Sequence, residues 1–232
     1  MNELLLDFED KVAEINDYFN LVRLLDDKEA IDDFRITTQL FKVLKANCYL
    51  LLYNLIESSV SEGLDAIFEN INAQQVPFKS LNDIYKKKYL KYKFHLAEVK
   101  SQDKKFGENL ADILSELSLF ILSHQDNPNH EDYKAYLGAL QQGREFSGNL
   151  DARKIKEIAK NYGFNSPNDC NELFVIKNAR NHLAHGEKTF STIGGEKPIT
   201  ELIEIKEKVV FYLKQLLQNI SSFIDDRGYL QD

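Results

Sequence analysis

The sequence predicts an all-α helical bundle, and three observations carry that prediction. Apolar residues recur at three- and four-residue steps over long stretches, no stretch alternates as a half-buried strand does, and polar or proline-bearing breaks such as Ala73-Gln74-Gln75-Val76-Pro77 separate the periodic stretches. With 232 residues the chain can bury a substantial core, and its composition is that of an ordinary folded protein. Helices packed on helices are the expected architecture.

The elements follow in order. Leu4, Phe8, Val12, Ile15, Phe19 and Val22 mark the buried stripe of a first amphipathic helix whose other face is strongly acidic. A break near Asp26-Asp27 or Asp32-Asp33 leads to a second helix, where Leu40, Leu44, Cys48, Leu51 and Leu55, with Leu50 and Leu52, give a wide apolar surface. This is the expected central helix. Ser80 offers an N-cap, with Asp83 three residues on, for a helix from Leu81 to Val99. Leu110, Ile113, Leu114, Leu117, Phe120 and Ile121 stripe a further helix ended by Asp126-Asn127-Pro128-Asn129, and a short helix follows around Tyr133 to Leu140.

Asn149 or Asp151 caps a helix from about Ala152 to Asn161, which Gly163 closes. Ser166-Pro167-Asn168-Asp169 supplies a serine cap, a proline at the first helical position and an acid three residues beyond the cap. It launches a helix running to His185. Glu187 to Pro198 contains two adjacent glycines and reads as a loop, and Thr200 caps a long last helix carried by Leu202, Ile205, Val209, Leu213, Leu216, Ile220 and Phe223.

The segment Asn178-Ala179-Arg180-Asn181-His182-Leu183-Ala184-His185-Gly186 departs from ordinary amphipathic packing, because guanidinium and imidazole groups crowd together there. A guanidinium is always cationic and forks its donors toward two phosphate oxygens, while an imidazole exchanges a proton near neutral pH. RNA carries its own nucleophile, the 2′-hydroxyl, so its cleavage needs a base, an acid and positive charge at the phosphorane. Residues five apart on an ideal α-helix differ by about 140° in azimuth. Gly186 is therefore informative: a glycine just past His185 is expected to take the left-handed C′ position and end the helix. Asn54 and Glu57 share a face of the central helix, and Glu57 is expected either to pair with an arginine such as Arg180 or to face solvent.

The string RNHLAHG resembles the R-N-x-x-x-H signature of the HEPN superfamily. With LLLYNLIESSV (Leu50 to Val60), FSGNLDARKIKEIAKNYGF (Phe146 to Phe164) and IKNARNHLAHGEKTFSTIG (Ile176 to Gly194), the chain resembles the bacterial MAE-type HEPN branch from Leu40 onward. The resemblance implies a single HEPN-type domain over 1–232, with 1–35 as an acidic N-terminal helix and 36–232 as the HEPN core with additional helices. It also implies a homodimer, in which two motif-bearing helices meet across a two-fold axis, and a metal-independent endoribonuclease of a toxin–antitoxin or phage-defence system. On that reading His185 transfers protons, Arg180 stabilises the transition-state charge, and Asn181 orients the phosphate or fixes the helix end. His182, Asn54 and Glu57 are candidate supports. No cofactor or metal is expected.

Charge is unevenly placed. Met1 to Asp33 holds eleven acids against three bases, and Lys79 to Lys105 holds nine lysines against three acids, within a net charge of −8. Two such poles suit RNA on one side and a basic partner on the other, although solvated helix faces give the same counts. Lys86, Lys87, Lys88 and Lys91, interleaved with Tyr85, Tyr89 and Tyr92, are candidate RNA-binding residues, as is Lys188 beside the motif; the alternative is a helix burying Tyr89 with its lysines in water. Two cysteines fit a reducing compartment, and no signal peptide or membrane span is read, so a cytoplasmic protein is expected. A second class of function stays open, a non-catalytic module that binds a regulatory protein, such as an antitoxin, or RNA. A metal hydrolase is disfavoured because His and carboxylates do not cluster at ligand spacing.

Overall fold

Burial follows the predicted stripe in the first helix, α1 (Glu3–Asp26), where Leu4, Phe8, Ile15, Phe19 and Val22 are buried and the acids face outward. The computed structural model describes residues 3–26, 36–100, 111–112, 114–115, 118, 138 and 149–231. Every regular element among them is helical: α2 (Thr38–Ala73), a 3-10 turn (Phe78–Ser80), α3 (Asp83–Lys100), α4 (Ala152–Tyr162), α5 (Asn171–Ala184), α6 (Phe190–Gly195) and α7 (Ile199–Asp225). One isolated antiparallel bridge joins Leu81 to Leu230. The expected helices over Leu110 to Ile121 and Tyr133 to Leu140 fall largely outside the described residues.

The chain forms two compact units, each drawn from three stretches. The first comprises 1–63, 148–159 and 165–221, and the second 64–147, 160–164 and 222–232. In the first unit the deep face of α2 is set by Cys48, Tyr49, Leu52, Tyr53, Ile56 and Val60. Leu40 is exposed and Leu44, Leu50 and Leu51 are only half-buried, so the expected leucine stripe is turned partly outward. The reason is that two tyrosines, not the leucines alone, occupy the buried face. From α7, Leu202, Ile205, Val209, Leu213, Leu216 and Ile220 are buried as predicted. Each fully buried leucine or isoleucine side chain contributes roughly 1.5–3 kcal/mol.

Four ends differ from expectation. The cap of α3 is Asn82, whose Oδ1 accepts from Ile84 N at 3.0 Å and Tyr85 N at 3.3 Å, because Ser80 is already used in the 3-10 turn. Helix α5 starts at Asn171 with Cys170 as cap and no side-chain cap bond, since apolar residues that a helix could bury begin only at Cys170 and Leu173. Thr200 lies inside α7 and not at its cap, because the helix begins one residue earlier at Ile199. The loop expected over Glu187 to Pro198 contains α6, capped by Thr189. Its double glycine serves close packing: a Cβ on Gly194 would lie 1.7 Å from the Lys42 carbonyl oxygen.

In the second unit Tyr85 is fully buried among Phe68, Tyr162, Phe223 and Tyr229, and its hydroxyl donates to the Tyr162 carbonyl at 3.0 Å. The Tyr229 hydroxyl donates to Asn70 Oδ1 at 2.7 Å. Three of these ring pairs are edge-to-face and Tyr85–Phe223 is stacked, and pairs of either kind add about 0.5–1.5 kcal/mol each beyond their burial.

Candidate functional site

The helix stop expected at the end of α5 is present, although Arg180 does not reach toward His185 as the stop is expected to allow. His185 is the C-cap with φ −88° and ψ −1°, and Gly186 follows at φ +67°, a left-handed value that favours glycine. Gly186 N donates to the Leu183 carbonyl at 3.2 Å and Glu187 N to the His182 carbonyl at 2.9 Å, the two crossed bonds of a Schellman cap. The His185 side chain is left exposed at the helix end. His182 is held instead, with Nδ1 2.6 Å from Glu187 Oε2.

Arg180 takes another direction. Its guanidinium carbon lies 4.4 Å from the centroid of the Tyr53 ring, and Nη1 donates to Asn181 Oδ1 at 3.0 Å. Because an arginine can only donate, Asn181 must turn its oxygen toward Arg180 and its amide nitrogen away. That nitrogen donates to Asn149 Oδ1 at 2.8 Å. Asn149 itself stands at φ +74°, a conformation asparagine tolerates better than most residues, and its backbone N–H donates to the Tyr53 hydroxyl at 2.6 Å. Leu150 N donates to the same oxygen at 3.3 Å. The four residues thus close a ring: Tyr53 under Arg180, Arg180 to Asn181, Asn181 to the Asn149 side chain, and the Asn149 backbone N–H back to Tyr53.

Among the described residues no carboxylate pairs with Arg180, and its other donors have no protein acceptor. Its charge is balanced by a π face and an amide, both neutral. Of the two alternatives for Glu57, the ion pair with Arg180 is not formed; Glu57 is half-buried and hydrogen-bonds the Tyr53 hydroxyl one turn before it. Burial, and then hydrogen bonding to Glu57, hold the Tyr53 phenol above its ordinary pKa, so it stays protonated and can donate. Asn54 is exposed and has no side-chain hydrogen bond among the described residues.

The structure therefore gathers Arg180 and Asn181 with Tyr53 and Asn149, places Glu57 behind Tyr53, and leaves His185 apart from Arg180, with no hydrogen bond between them. Tyr53 and Asn149 escaped the sequence reading of the site. Both lay in the family-like blocks, and the asparagine before a cap aspartate was visible, but nothing in spacing showed which groups would meet.

Asp151 steadies this corner. Its Oδ1 accepts from Lys154 N at 2.9 Å, capping α4, and its Oδ2 accepts from Lys177 of α5. Burial alone would raise the carboxyl pKa, but the bonds from Lys177 and Lys154 outweigh it and hold it below the usual range. Burial pushes the Cys48 thiol up to about 12 and the Cys170 thiol to about 11.

The lysine helix α3 belongs to the second unit, and of its two readings the one that buries Tyr89 is the one realised. Tyr85 and Tyr89 are buried, so neither can stack on a base, and Lys88 Nζ lies 3.7 Å from the centroid of the Tyr162 ring. Lys87 and Lys91 are exposed and Lys86 is half-buried. Lys188 donates to Glu196 at 2.7 Å. Among the described residues no group of three or more His, Cys, Asp or Glu side chains could hold a metal ion, and no described helix is long and apolar enough to cross a membrane.

Residues 1–229 match the family model described as HEPN_MAE_28990-like HEPN. The chain belongs to the HEPN family. Its all-α architecture agrees with that membership, and the match spans nearly the whole chain. HEPN domains are often ribonucleases, others are nucleotide-binding modules, and they commonly dimerise. Neither the curated proteins nor the solved structures gave a match to this HEPN protein.

Proposed function

We propose that this HEPN protein is a metal-independent endoribonuclease of a toxin–antitoxin or phage-defence system, working as a homodimer. The observation that carries the proposal is Arg180: a guanidinium held by neutral groups, without a carboxylate partner among the described residues, on the same helix end as an exposed histidine. An uncompensated, oriented cation is suited to an anion that arrives with the substrate.

In the proposed reaction His185 accepts the 2′-hydroxyl proton as that oxygen attacks the adjacent phosphorus. Arg180 binds the phosphorane oxygens, and the His185 of a second copy protonates the departing 5′-oxygen. The P–O5′ bond breaks, giving a 2′,3′-cyclic phosphate and a free 5′-hydroxyl. General acid–base transfer of this kind contributes roughly 10²–10⁴-fold, and a preorganised cation at the transition state about 10²–10³-fold. Asn181 holds the guanidinium edge, and Lys188 adds a phosphate contact that is sensitive to salt.

The test is incubation of purified protein with labelled single-stranded RNA and tRNA in EDTA, beside His185→Ala. Cleavage by the wild type alone, with cyclic phosphate ends, supports the reading. A folded dimer that binds RNA or a partner protein but cuts nothing would replace it with the regulatory-module reading, which the net charge of −8 favours.

A further inference from the structure

We propose that Tyr53 and Asn149 are positioning residues for Arg180, together fixing where its guanidinium meets a phosphate; the reaction they would serve is the one proposed above, and the inference rests on that reading for its kinetic part. Four observations carry it. The Tyr53 ring lies under the guanidinium at 4.4 Å and is itself only 1% exposed, so the platform cannot swing away. The Tyr53 hydroxyl accepts from two successive backbone N–H groups, at Asn149 and Leu150, which ties the segment before α4 to α2. Asn149 adopts a left-handed backbone, and that conformation is accompanied by the Asn149–Asn181 bond. Asn181 in turn accepts from Arg180.

The ring of contacts constrains Arg180 in two independent ways. The aromatic face limits the tilt of the guanidinium plane, because a cation is attracted to the face of the ring and not to its edge. The Asn149–Asn181 link limits rotation within that plane, because holding the Asn181 nitrogen on Asn149 keeps its oxygen turned toward Arg180. Asn149 supplies that second partner without adding charge. A carboxylate in its place would compete with the substrate for Arg180, whereas an amide leaves the cation uncompensated. Restricting both motions before substrate arrives spares the ordering that binding would otherwise require.

The two residues come from separate parts of the chain, α2 and the segment preceding α4, and neither stands within the RNHLAHG segment. Substituting either one should loosen Arg180 without removing a group that contacts RNA. The expected signature is a fall in kcat with KM little changed.

The experiment uses the full chain and three variants. Asn149→Gly keeps the left-handed backbone and deletes only the carboxamide; Tyr53→Phe keeps the ring and deletes the hydroxyl; Tyr53→Leu deletes both. Two measurements are made on each. The first is the NMR shift of the Arg180 δ-protons, which the Tyr53 ring should displace upfield in the wild-type protein. Tyr53→Leu should abolish that displacement and Asn149→Gly should reduce it. The second is RNA cleavage, where Asn149→Gly should lower kcat about 10- to 100-fold with KM within about twofold.

An Arg180 resonance unchanged by Asn149→Gly overturns the positioning role. So does an unchanged kcat in a variant whose wild type cleaves RNA and whose Arg180→Ala form does not. If the wild type cleaves nothing while the NMR displacement is lost as expected, the positioning role stands and the ribonuclease reading falls.

Discussion

Arg180 lies over the Tyr53 ring, 127 positions away in the chain but only 4.4 Å from guanidinium carbon to ring centroid. This contact makes lysine a poor replacement for the arginine. Arg180→Lys keeps the charge but loses the flat stack and the fork of donors. Cleavage is expected to fall by at least about 100-fold, as when one transition-state donor is removed. Thermal stability should drop only slightly, since an exposed or half-exposed stack of this kind is worth about 0.5–1 kcal/mol. Single-turnover kinetics beside thermal melting would separate the two effects.

His185→Ala should behave differently on stability. The imidazole is exposed and makes no hydrogen bond among the described residues, so denaturation by urea should match the wild type within about 0.5 kcal/mol. Cleavage should nevertheless be lost.

Two glycines near the site are expected to fail for unlike reasons. Gly186→Ala strains a φ of +67° in open space and should cost about 1 kcal/mol. Gly194→Ala drives a methyl into the Lys42 carbonyl, where backbone cannot give way cheaply, and should cost about 3 kcal/mol or more. Urea titration of both variants ranks them; equal losses would contradict the packing argument.

The Asp151 carboxyl predicts acid behaviour. Its folded pKa lies below the unfolded value of about 3.9, so its contribution is present above that pH and is lost as the pH falls through the folded pKa. Asp151→Asn keeps an acceptor for the α4 cap but leaves the Lys177 charge nearly buried. It should lower stability at neutral pH, toward the lower end of roughly 3–5 kcal/mol, and flatten the loss of stability below about pH 4. Urea midpoints measured from pH 7 down to pH 2 test both features.

The thiols offer a check on the fold itself. With Cys48 pushed to about 12 and Cys170 to about 11 by burial, native protein at pH 8 should label slowly with a thiol reagent. Rapid labelling of Cys48 without denaturant would contradict its buried place on α2.

What could be read from the sequence divides along physical lines. Periodicity exposes whatever a single helix does alone, so the α1 stripe, the α7 stripe and the Gly186 stop were all legible at 3.6 residues per turn. Contacts between helices leave no such trace. Gly194 resembled a loop residue because composition cannot distinguish a flexible glycine from one pressed against a backbone. Tyr85 and Tyr89 resembled a stacking surface because lysines on either side say nothing about which way the rings turn. In the candidate site, Arg180, Asn181 and His185 stood out by their crowding. The neutral pair behind them, Tyr53 and Asn149, did not, since neither a tyrosine in an apolar helix nor an asparagine before a cap is unusual.

The division of the chain into two units has a consequence for how this protein can change. Each unit is stitched from three separate stretches, with 160–164 and 222–232 belonging to the second while the residues on either side of 160–164 belong to the first. No single cut releases either unit as a continuous fragment. Removing the last eleven residues would strip buried Tyr229 and its bond to Asn70 from one unit while leaving every residue of the other in place. Gene shuffling can pass such a protein on only whole, so the Arg180 corner and the Tyr85 core must be inherited together.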